Sequence, residues 1–177
     1  MFFNLIEKRR SIRKFQDKPV EPEKIDQLVE AALRSPSSRG FNPWEFVVVT
    51  EKTTIEKLAG AKAQGSAFLK NAPLAFVVCA DETRSDVWVE DASIASIFIH
   101  LAATAVDLGS CWIQIRKRPH DDATSAEAYI QELLKLPSHL KVESILAVGY
   151  PDEEKPSHEK SELPYDKVHR EAYGQKQ

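Results

Sequence analysis

Residues 90–108 read Glu-Asp-Ala-Ser-Ile-Ala-Ser-Ile-Phe-Ile-His-Leu-Ala-Ala-Thr-Ala-Val-Asp-Leu and form the longest periodic segment of the chain. One apolar stripe at helical spacing is widened by further alanine, isoleucine and valine residues almost around the helix. A helix that is apolar on most of its faces must be buried on most of them. The segment therefore predicts a central helix, ended by Gly109, whose outer face can be covered by a partner subunit.

The segments on either side of this helix alternate between helical and strand patterns. Apolar residues at helical spacing predict helices at 2–9, 23–34, 52–63 and 125–136, with a further helical turn at 67–71. Short apolar runs predict buried strands at 45–50, 74–80, 110–115 and 142–148. Because two helices precede the first strand, we expect an α+β fold with a central mixed β-sheet of four to five strands flanked by helices.

Composition restricts the class of protein. With 177 residues, of which 42% are hydrophobic, the chain can bury a core as one domain spanning residues 1–177. A net charge of -3 gives no support for nucleic-acid binding. Cys79 and Cys111 lie in apolar runs without disulfide or zinc spacing, which predicts reduced core residues in a cytoplasmic protein. No apolar run reaches the roughly 20 residues that span a bilayer, so no membrane contact is expected.

A basic stretch near the start of the chain, residues 8–15, reads Lys-Arg-Arg-Ser-Ile-Arg-Lys-Phe. Guanidinium groups and a hydroxyl suit phosphate oxygens. Ile12 and Phe15 interleave with the charges, as expected of a segment docked on a core. The stretch alone leaves two interpretations open, a phosphate clamp or a solvated basic turn that meets a polyanion.

The common catalytic motifs are missing from the sequence. Glycine-rich nucleotide-binding patterns do not occur, and the five histidines lack metal-ligand spacing. Ser37 and Ser38 lack the GxSxG context of a hydrolase nucleophile. We therefore predict no metal site and no catalytic side chain. Two classes remain, a binder of something anionic and planar, and an enzyme whose cofactor carries the chemistry.

Four stretches, residues 9–15, 35–46, 108–113 and 147–151, occur in an order and spacing that resembles the nitroreductase family of FMN-dependent oxidoreductases. The resemblance implies an intertwined homodimer of nitroreductase-like fold with two FMN sites at the subunit interface, each lined by both chains. It also implies that residues 152–177 are a C-terminal extension that packs on the dimer partner.

The resemblance further implies which residues bind the cofactor. The phosphate and ribityl chain are expected to meet Arg9, Arg10, Ser11 and Arg13, together with Lys160 from the C-terminal segment. The isoalloxazine ring is expected to lie along Pro36, Ser37 and Ser38, with Asn42 beside it. At Gln114 and Ile115, backbone N–H groups are expected to approach the flavin N5 and O4 edge, where they would stabilise charge on the reduced ring.

The resulting hypothesis is an FMN-dependent oxidoreductase that uses NADH or NADPH in a ping-pong cycle to reduce a small-molecule acceptor such as a nitroaromatic or a quinone. One alternative is a flavoenzyme of the same fold with other chemistry, such as a reductive dehalogenase, a dehydrogenase or a flavin-fragmenting enzyme. The other is a non-catalytic protein that uses the basic stretch for an acidic partner.

Overall fold

The structure is a computed structural model that describes residues 2–176, so that Met1 and Gln177 of the predicted domain lie outside the described residues. The helices are α1 (Phe2–Lys8), α2 (Pro22–Leu33), α3 (Lys52–Ala59), α4 (Trp88–Ala105) and α5 (Ala126–Leu134). The strands are β1 (Trp44–Val49), β2 (Leu74–Asp81), β3 (Gly109–Gln114) and β4 (Leu140–Gly149). Short 3₁₀ turns span Ser38–Gly40, Ala67–Asn71, Lys160–Glu162 and Tyr165–Lys167. Every predicted helix and strand is present, and most bounds move by one to three residues.

The four strands form one sheet in the order β1-β2-β4-β3. All three strand pairs are antiparallel, so the expectation of a mixed sheet was wrong in this respect. A parallel contact occurs only as an isolated bridge between Ser11 and Ser110 within the described chain. The reason is the position of β4, which inserts between β2 and β3 and runs opposite to both. A pattern of apolar runs predicts the strands but not which strands become neighbours.

Helices cover both faces of the sheet. Side chains of α2 and α4 pack on one face against Phe76 and Leu146, and side chains of α3 and α5 pack on the other against Val77 and Ile145. Strand β2 is buried along nearly its whole length. Residues 74–80 lack charged side chains because β2 lies in the middle of the sheet with a core layer on each side. β4 lies there as well and nevertheless contains Lys141, Glu143 and Ser144.

Helix α4 lies across the sheet and packs on α2, as its apolar sequence predicts. Its inner face is fully buried, whereas Ile94, Ile97 and Phe98 keep 39%, 47% and 36% of their surface exposed. Gly109 does not end this helix, contrary to the prediction. The left-handed residue after the helix is Asp107 (φ 60°), and Gly109 is the first residue of β3.

The chain after β4 is largely exposed and carries only short 3₁₀ turns. Leu163, Tyr165, Val168 and Tyr173 keep between 44% and 92% of their surface exposed. Packing of this extension on a second subunit stays a prediction. None of the helices found in residues 2–176 is both long enough and apolar enough to cross a membrane.

Candidate functional site

The basic stretch docks on the edge strand β3. The Ile12 N–H donates to the Ser110 carbonyl at 3.0 Å, beside the parallel bridge between Ser11 and Ser110. A second attachment follows four residues later, where the Gln16 N–H donates to the Tyr150 carbonyl at 2.9 Å. The stretch is therefore a fixed extension of the sheet and not a solvated turn.

Two glycines that face each other across β3 and β4 make this docking possible. A Cβ on Gly109 would lie 2.8 Å from the Cβ of Ile12, and a Cβ on Gly149 would lie 2.5 Å from the Cδ of Pro73. Real Cβ atoms do not approach carbon so closely. The pair opens a notch at the end of the sheet that receives Ile12 and Pro73, while Phe15 packs at its rim. Its sequence signal is the glycine that opens the Gly-Ser-Cys-Trp run and the one in Val-Gly-Tyr-Pro.

The side chains of the basic stretch divide between two sides of the segment. Ser11 and Arg13 approach the buried Cys111 thiol, and the Arg13 guanidinium lies 5.8 Å from the centre of the Phe68 ring. The Arg10 guanidinium instead donates to the carbonyl of Pro156. Ser11 and Arg13 are thus brought together, whereas Arg10 is held by the C-terminal segment.

One acidic and one basic residue of the C-terminal segment, Glu153 and Lys155, contact the basic stretch, and neither was predicted from the sequence. The Glu153 carboxylate accepts the N–H groups of Arg13 and Lys14. Lys155 forms an ion pair with Glu153 at 3.4 Å, and its ammonium group donates to the Ser11 carbonyl. The sequence signal that could have predicted them is their position shortly after Tyr150-Pro151, where the chain leaves β4 beside the notch. Lys160 makes no described contact with the basic stretch and is exposed at the start of a 3₁₀ turn.

Positive charge accumulates next to Ser11. Burial raises the pKa of the Cys111 thiol, and nearby Arg13 and Lys155 oppose that rise. Lys62 also faces this thiol, and burial together with the Arg118 charge lowers the pKa of Lys62. The Glu153 carboxylate, which is paired with Lys155, balances part of this charge, and a bound anion would offset the repulsion that remains.

A buried histidine of α4 forms a hydrogen bond with strand β3. His100 of α4 and the Ser110 hydroxyl lie 2.7 Å apart, with His100 Nδ1 in the hydrogen bond. Burial lowers the pKa of His100 to about 4, and the Arg9 charge acts in the same direction. The imidazole is therefore neutral at pH 7, and Arg9 lies near this end of α4.

The loop that carries Ser37, Ser38 and Asn42 lies at the other end of α4. Within it the Asn42 N–H donates to the Ser37 hydroxyl at 2.8 Å, and that hydroxyl donates to Asn42 Oδ1 at 2.7 Å. The Ser38 N–H donates to the carboxylate of Asp91 at 2.8 Å. Pro36 is exposed at the start of the loop. The four residues predicted to line the ring thus share one ordered loop.

Gln114 and Ile115 lie at the end of β3 nearer to this loop and differ in what their main-chain groups can do. The N–H groups of Ile115 and Arg116 both donate to the Glu143 carbonyl at 3.1 Å, which is the hydrogen-bond pattern of a β-bulge. The Ile115 N–H is therefore already paired. Because N–H groups alternate sides along an antiparallel strand, the Gln114 N–H points to the outer edge of the sheet.

The Gln114 side chain is held in one orientation. Its Oε1 accepts the indole N–H of Trp112 at 3.0 Å, and its Nε2 donates to the Arg116 carbonyl at 3.2 Å. The Glu143 carboxyl lies next to this amide, and burial raises its pKa. Arg116 also lies over the Trp88 ring at 5.6 Å, which links the end of β3 to the start of α4.

The predicted residues therefore form two groups along the strand. Ser11 and Arg13 lie at the Ser110 end of β3, and Gln114 lies four residues further on, about 13 Å away for an extended strand. The geometry fits an elongated ligand with an anionic end and a polar ring edge. No cluster of metal-binding side chains exists in the described part of the chain.

Fold and site together define a class of protein. It is an α+β domain that gathers cations at one end of an edge strand and exposes a main-chain donor at the other. In such a site a bound cofactor supplies the reactive atoms, and the protein supplies position and electrostatics.

Comparison with known proteins identifies the family. The model of the nitroreductase family matches residues 6–68 and 60–150, and the chain belongs to this family. An FMN-dependent nitroreductase from Clostridium difficile R20291 has a similar structure, with a TM-score of 0.95, 49% identity, and coverage of 97% of this chain and 99% of that one. The resemblance seen in the sequence and the nitroreductase-like α+β fold are thereby confirmed.

Two relatives show the range of named activities in this family. A protein from Archaeoglobus fulgidus, provisionally named an NADH dehydrogenase/NAD(P)H nitroreductase, is 36% identical over an alignment of 174 positions that covers 96% of this chain and 97% of the relative. An iodotyrosine deiodinase from Thermotoga neapolitana is 27% identical over 191 residues, covering 92% of this chain and 95% of the relative.

Proposed function

We propose that this chain is an FMN-dependent oxidoreductase that takes hydride from NADH or NADPH and reduces nitroaromatic, quinone or related acceptors. Membership of the nitroreductase family supports the enzyme class, and the names of the similar proteins support FMN and NAD(P)H. The observation that carries the proposal is the docking of Ser11 and Ile12 on Ser110, because it fixes the basic stretch on the same strand edge that exposes Gln114.

The residues present fit this cofactor. At the phosphate end, Ser11, Arg13 and Lys155 would meet a dianion, whose charge offsets the repulsion around Cys111 and Lys62. Arg9, Arg10 and Lys160 stay proposed phosphate ligands, and Arg10 would have to exchange its Pro156 contact for the phosphate.

At the ring end, the outward N–H of Gln114 is placed to donate to a carbonyl or ring nitrogen. Ile115 would contribute its side chain or its position only, since its N–H is paired with Glu143. Pro36, Ser37, Ser38 and Asn42 stay proposed ring contacts. When bound, FMN supplies the hydride acceptor and donor, and the chain's own residues hold it and place donor and acceptor beside it in turn.

A homodimer is part of the proposal, because apolar surface remains uncovered on one chain. Phe2, Phe3 and Ile6 of α1 are 58%, 77% and 43% exposed, and the outer side chains of α4 are exposed as well. A soluble protein rarely leaves such a patch in water. A second copy would cover it and bring its own loop 35–42 and C-terminal extension to the interface.

The visible absorption spectrum of the purified protein tests the proposal directly. We expect the protein to show a flavin spectrum as purified, or after incubation with FMN and removal of unbound FMN by gel filtration, and we expect this spectrum to bleach anaerobically with NADH or NADPH. A protein that retains no flavin after this treatment would refute the cofactor and leave the basic stretch to an acidic partner. Such binding would weaken steeply with salt for a polyanion.

One relative favours a second chemistry. The deiodinase from Thermotoga neapolitana shares most of its length with this chain, so reductive dehalogenation is a candidate for the acceptor half-reaction. Reoxidation of the NADH-reduced protein with a nitroaromatic, a quinone and an iodinated phenol in parallel separates the two. Turnover of the nitroaromatic or quinone without halide release would support the reductase.

A further inference from the structure

The loop proposed to lie along the flavin ring has an unfavourable backbone. Arg39, Gly40 and Asn42 have φ angles of 54°, 68° and 46°, three left-handed residues within four positions. Only the glycine adopts this conformation without steric cost. Hydrogen bonds and ion pairs of the loop residues must therefore offset this cost.

Main-chain bonds from the Gly40 N–H to Ser37 and from the Phe41 N–H to Ser38 form the turn itself. Three further contacts involve side chains, and they differ in burial. Ser37 and Asn42 bond to each other within the loop. Arg39 pairs with Asp86 at 2.6 Å, where the two side chains are 61% and 78% exposed. Asp91 accepts the Ser38 N–H at 2.8 Å and is only 2% exposed. An exposed ion pair contributes little, so Asp91 is the strongest external anchor.

The surroundings of Asp91 are those of a main-chain anchor. One oxygen accepts from Ser38, and the other accepts the hydroxyl of Ser85, itself buried, at 3.0 Å. The carboxylate lies in the first turn of α4, where the helix N-terminus favours negative charge. Among the ion pairs of residues 2–176, none includes Asp91. A buried carboxylate that is not neutralised by a cation must be compensated by hydrogen bonds such as these.

We infer that Asp91 is a positioning residue, which holds loop 35–42 through the Ser38 N–H so that Ser37 and Ser38 present one fixed surface to the flavin ring. The inference rests on the proposed function. Asp91 itself is buried behind the loop and acts only through Ser38. What it supplies is an acceptor oxygen, and Asn can supply one as well, with its amide group turned towards the Ser85 oxygen.

The test compares Asp91→Ala and Asp91→Asn with Asp86→Ala, which removes the exposed contact to the same loop. Amide hydrogen exchange of residues 37–42 in the FMN-loaded and FMN-free protein reports the loop, and the FMN dissociation constant and the acceptor KM and kcat report the site. For Asp91→Ala we expect loop exchange and the FMN dissociation constant to rise about tenfold or more, the effect of one hydrogen bond to a charged group. The acceptor KM should rise more than kcat falls.

Asp91→Asn should restore most of the wild-type behaviour, and Asp86→Ala should match wild type. Unchanged loop exchange in Asp91→Ala, or looser exchange with wild-type FMN affinity and acceptor kinetics, would overturn the inference. If Asp91→Ala does not fold, Ser85→Ala decides, because it removes the hydroxyl that donates to the second Asp91 oxygen. We expect faster loop exchange and weaker FMN binding in Ser85→Ala, and wild-type values of both would overturn the inference. Strong loosening of the loop in Asp91→Asn would also overturn it, because the charge of Asp91 and not its acceptor geometry would then hold the loop.

Failure of the proposed function is distinguishable from failure of this inference. A wild-type protein that does not bind FMN refutes the flavin site and with it the role of Asp91 towards a ring. Exchange in the FMN-free protein does not depend on the cofactor, so it still shows whether Asp91 or Asp86 anchors the loop.

Discussion

Replacing Gly109 by alanine tests whether the notch at the end of the sheet positions the basic stretch. The added Cβ would lie 2.8 Å from Ile12 Cβ and 2.9 Å from both of its γ-carbons. Carbon atoms in contact prefer about 3.5 to 4.0 Å, so Ile12 must retreat by about 0.7 Å or more. If the whole shift ran along the 3.0 Å bond from the Ile12 N–H to Ser110, it would lengthen that bond to about 3.7 Å, beyond hydrogen-bond range, and a shift in any other direction would weaken the bond by less.

The expected cost has two measurable parts. Overpacking of this kind reduces the free energy of unfolding by about 1 to 3 kcal/mol. Ser11 and Arg13 move with Ile12, so FMN affinity should fall about tenfold or more, as for loss of one hydrogen bond to a charged group. Urea unfolding with an unchanged m-value measures the first part, and fluorescence titration of the apoprotein with FMN measures the second.

Gly60→Ala is the matched control. Its added Cβ would meet only the Lys57 carbonyl, at an ordinary 3.4 Å, and its backbone is not left-handed. We expect a change in unfolding free energy within about 0.5 kcal/mol. Adding Ile12→Ala to Gly109→Ala removes two of the three crowding carbons, so the two effects should be less than additive. Wild-type stability and FMN affinity in Gly109→Ala would refute the notch as the positioning device.

Three further predictions concern charge, assembly and pH. Arg13→Ala should weaken FMN binding by about 1.5 to 3 kcal/mol, whereas Arg34→Ala, on an exposed ion pair with Glu30, should not change it, as measured by titration. Ile97→Asp, at a position 47% exposed on α4, should shift the sedimentation coefficient from that of a dimer to that of a monomer. The folded protein keeps His100 neutral with a pKa of about 4 against an ordinary value of 6.5, so the unfolded chain binds more protons between these values. The contribution of the neutral His100 to the free energy of unfolding is therefore fully present above pH 6.5 and is lost as the pH falls towards 4, by about 3 kcal/mol at most. His100→Gln should show a shallower loss of unfolding free energy between pH 7 and pH 5.

Local patterns predicted the elements well, because burial on both sides leaves a clear mark on a strand or helix. The apolar run of β2 and the wide apolar surface of α4 are examples. The end of α4 was misplaced because a glycine was taken as its cap, whereas Asp107 adopts the left-handed conformation and Gly109 is needed for close approach of Ile12. A glycine has several uses, and sequence does not say which one applies.

The residues expected to bind the cofactor stay predictions, and the sequence did not show how the chain arranges them. Ser11 and Arg13 lie together near Cys111, whereas Arg10 points to Pro156. Lys155 reaches the stretch through a chain path that no local pattern encodes. The pairing of the Ile115 N–H with Glu143 depends on a bulge, and a bulge depends on the register of two strands far apart in sequence.

The exposed outer edge of β3 has a consequence for handling the protein. A strand edge with free N–H and C=O groups is a template on which other chains can add, and proteins limit this with charges, bulges and prolines. Here Arg116 belongs to the bulge, Lys117 and Arg118 follow it, and Pro119 ends the run. The middle of the edge, at Trp112 and Gln114, lacks such protection. We therefore expect preparations stripped of flavin to aggregate sooner, and FMN in the lysis buffer to improve the yield of dispersed protein.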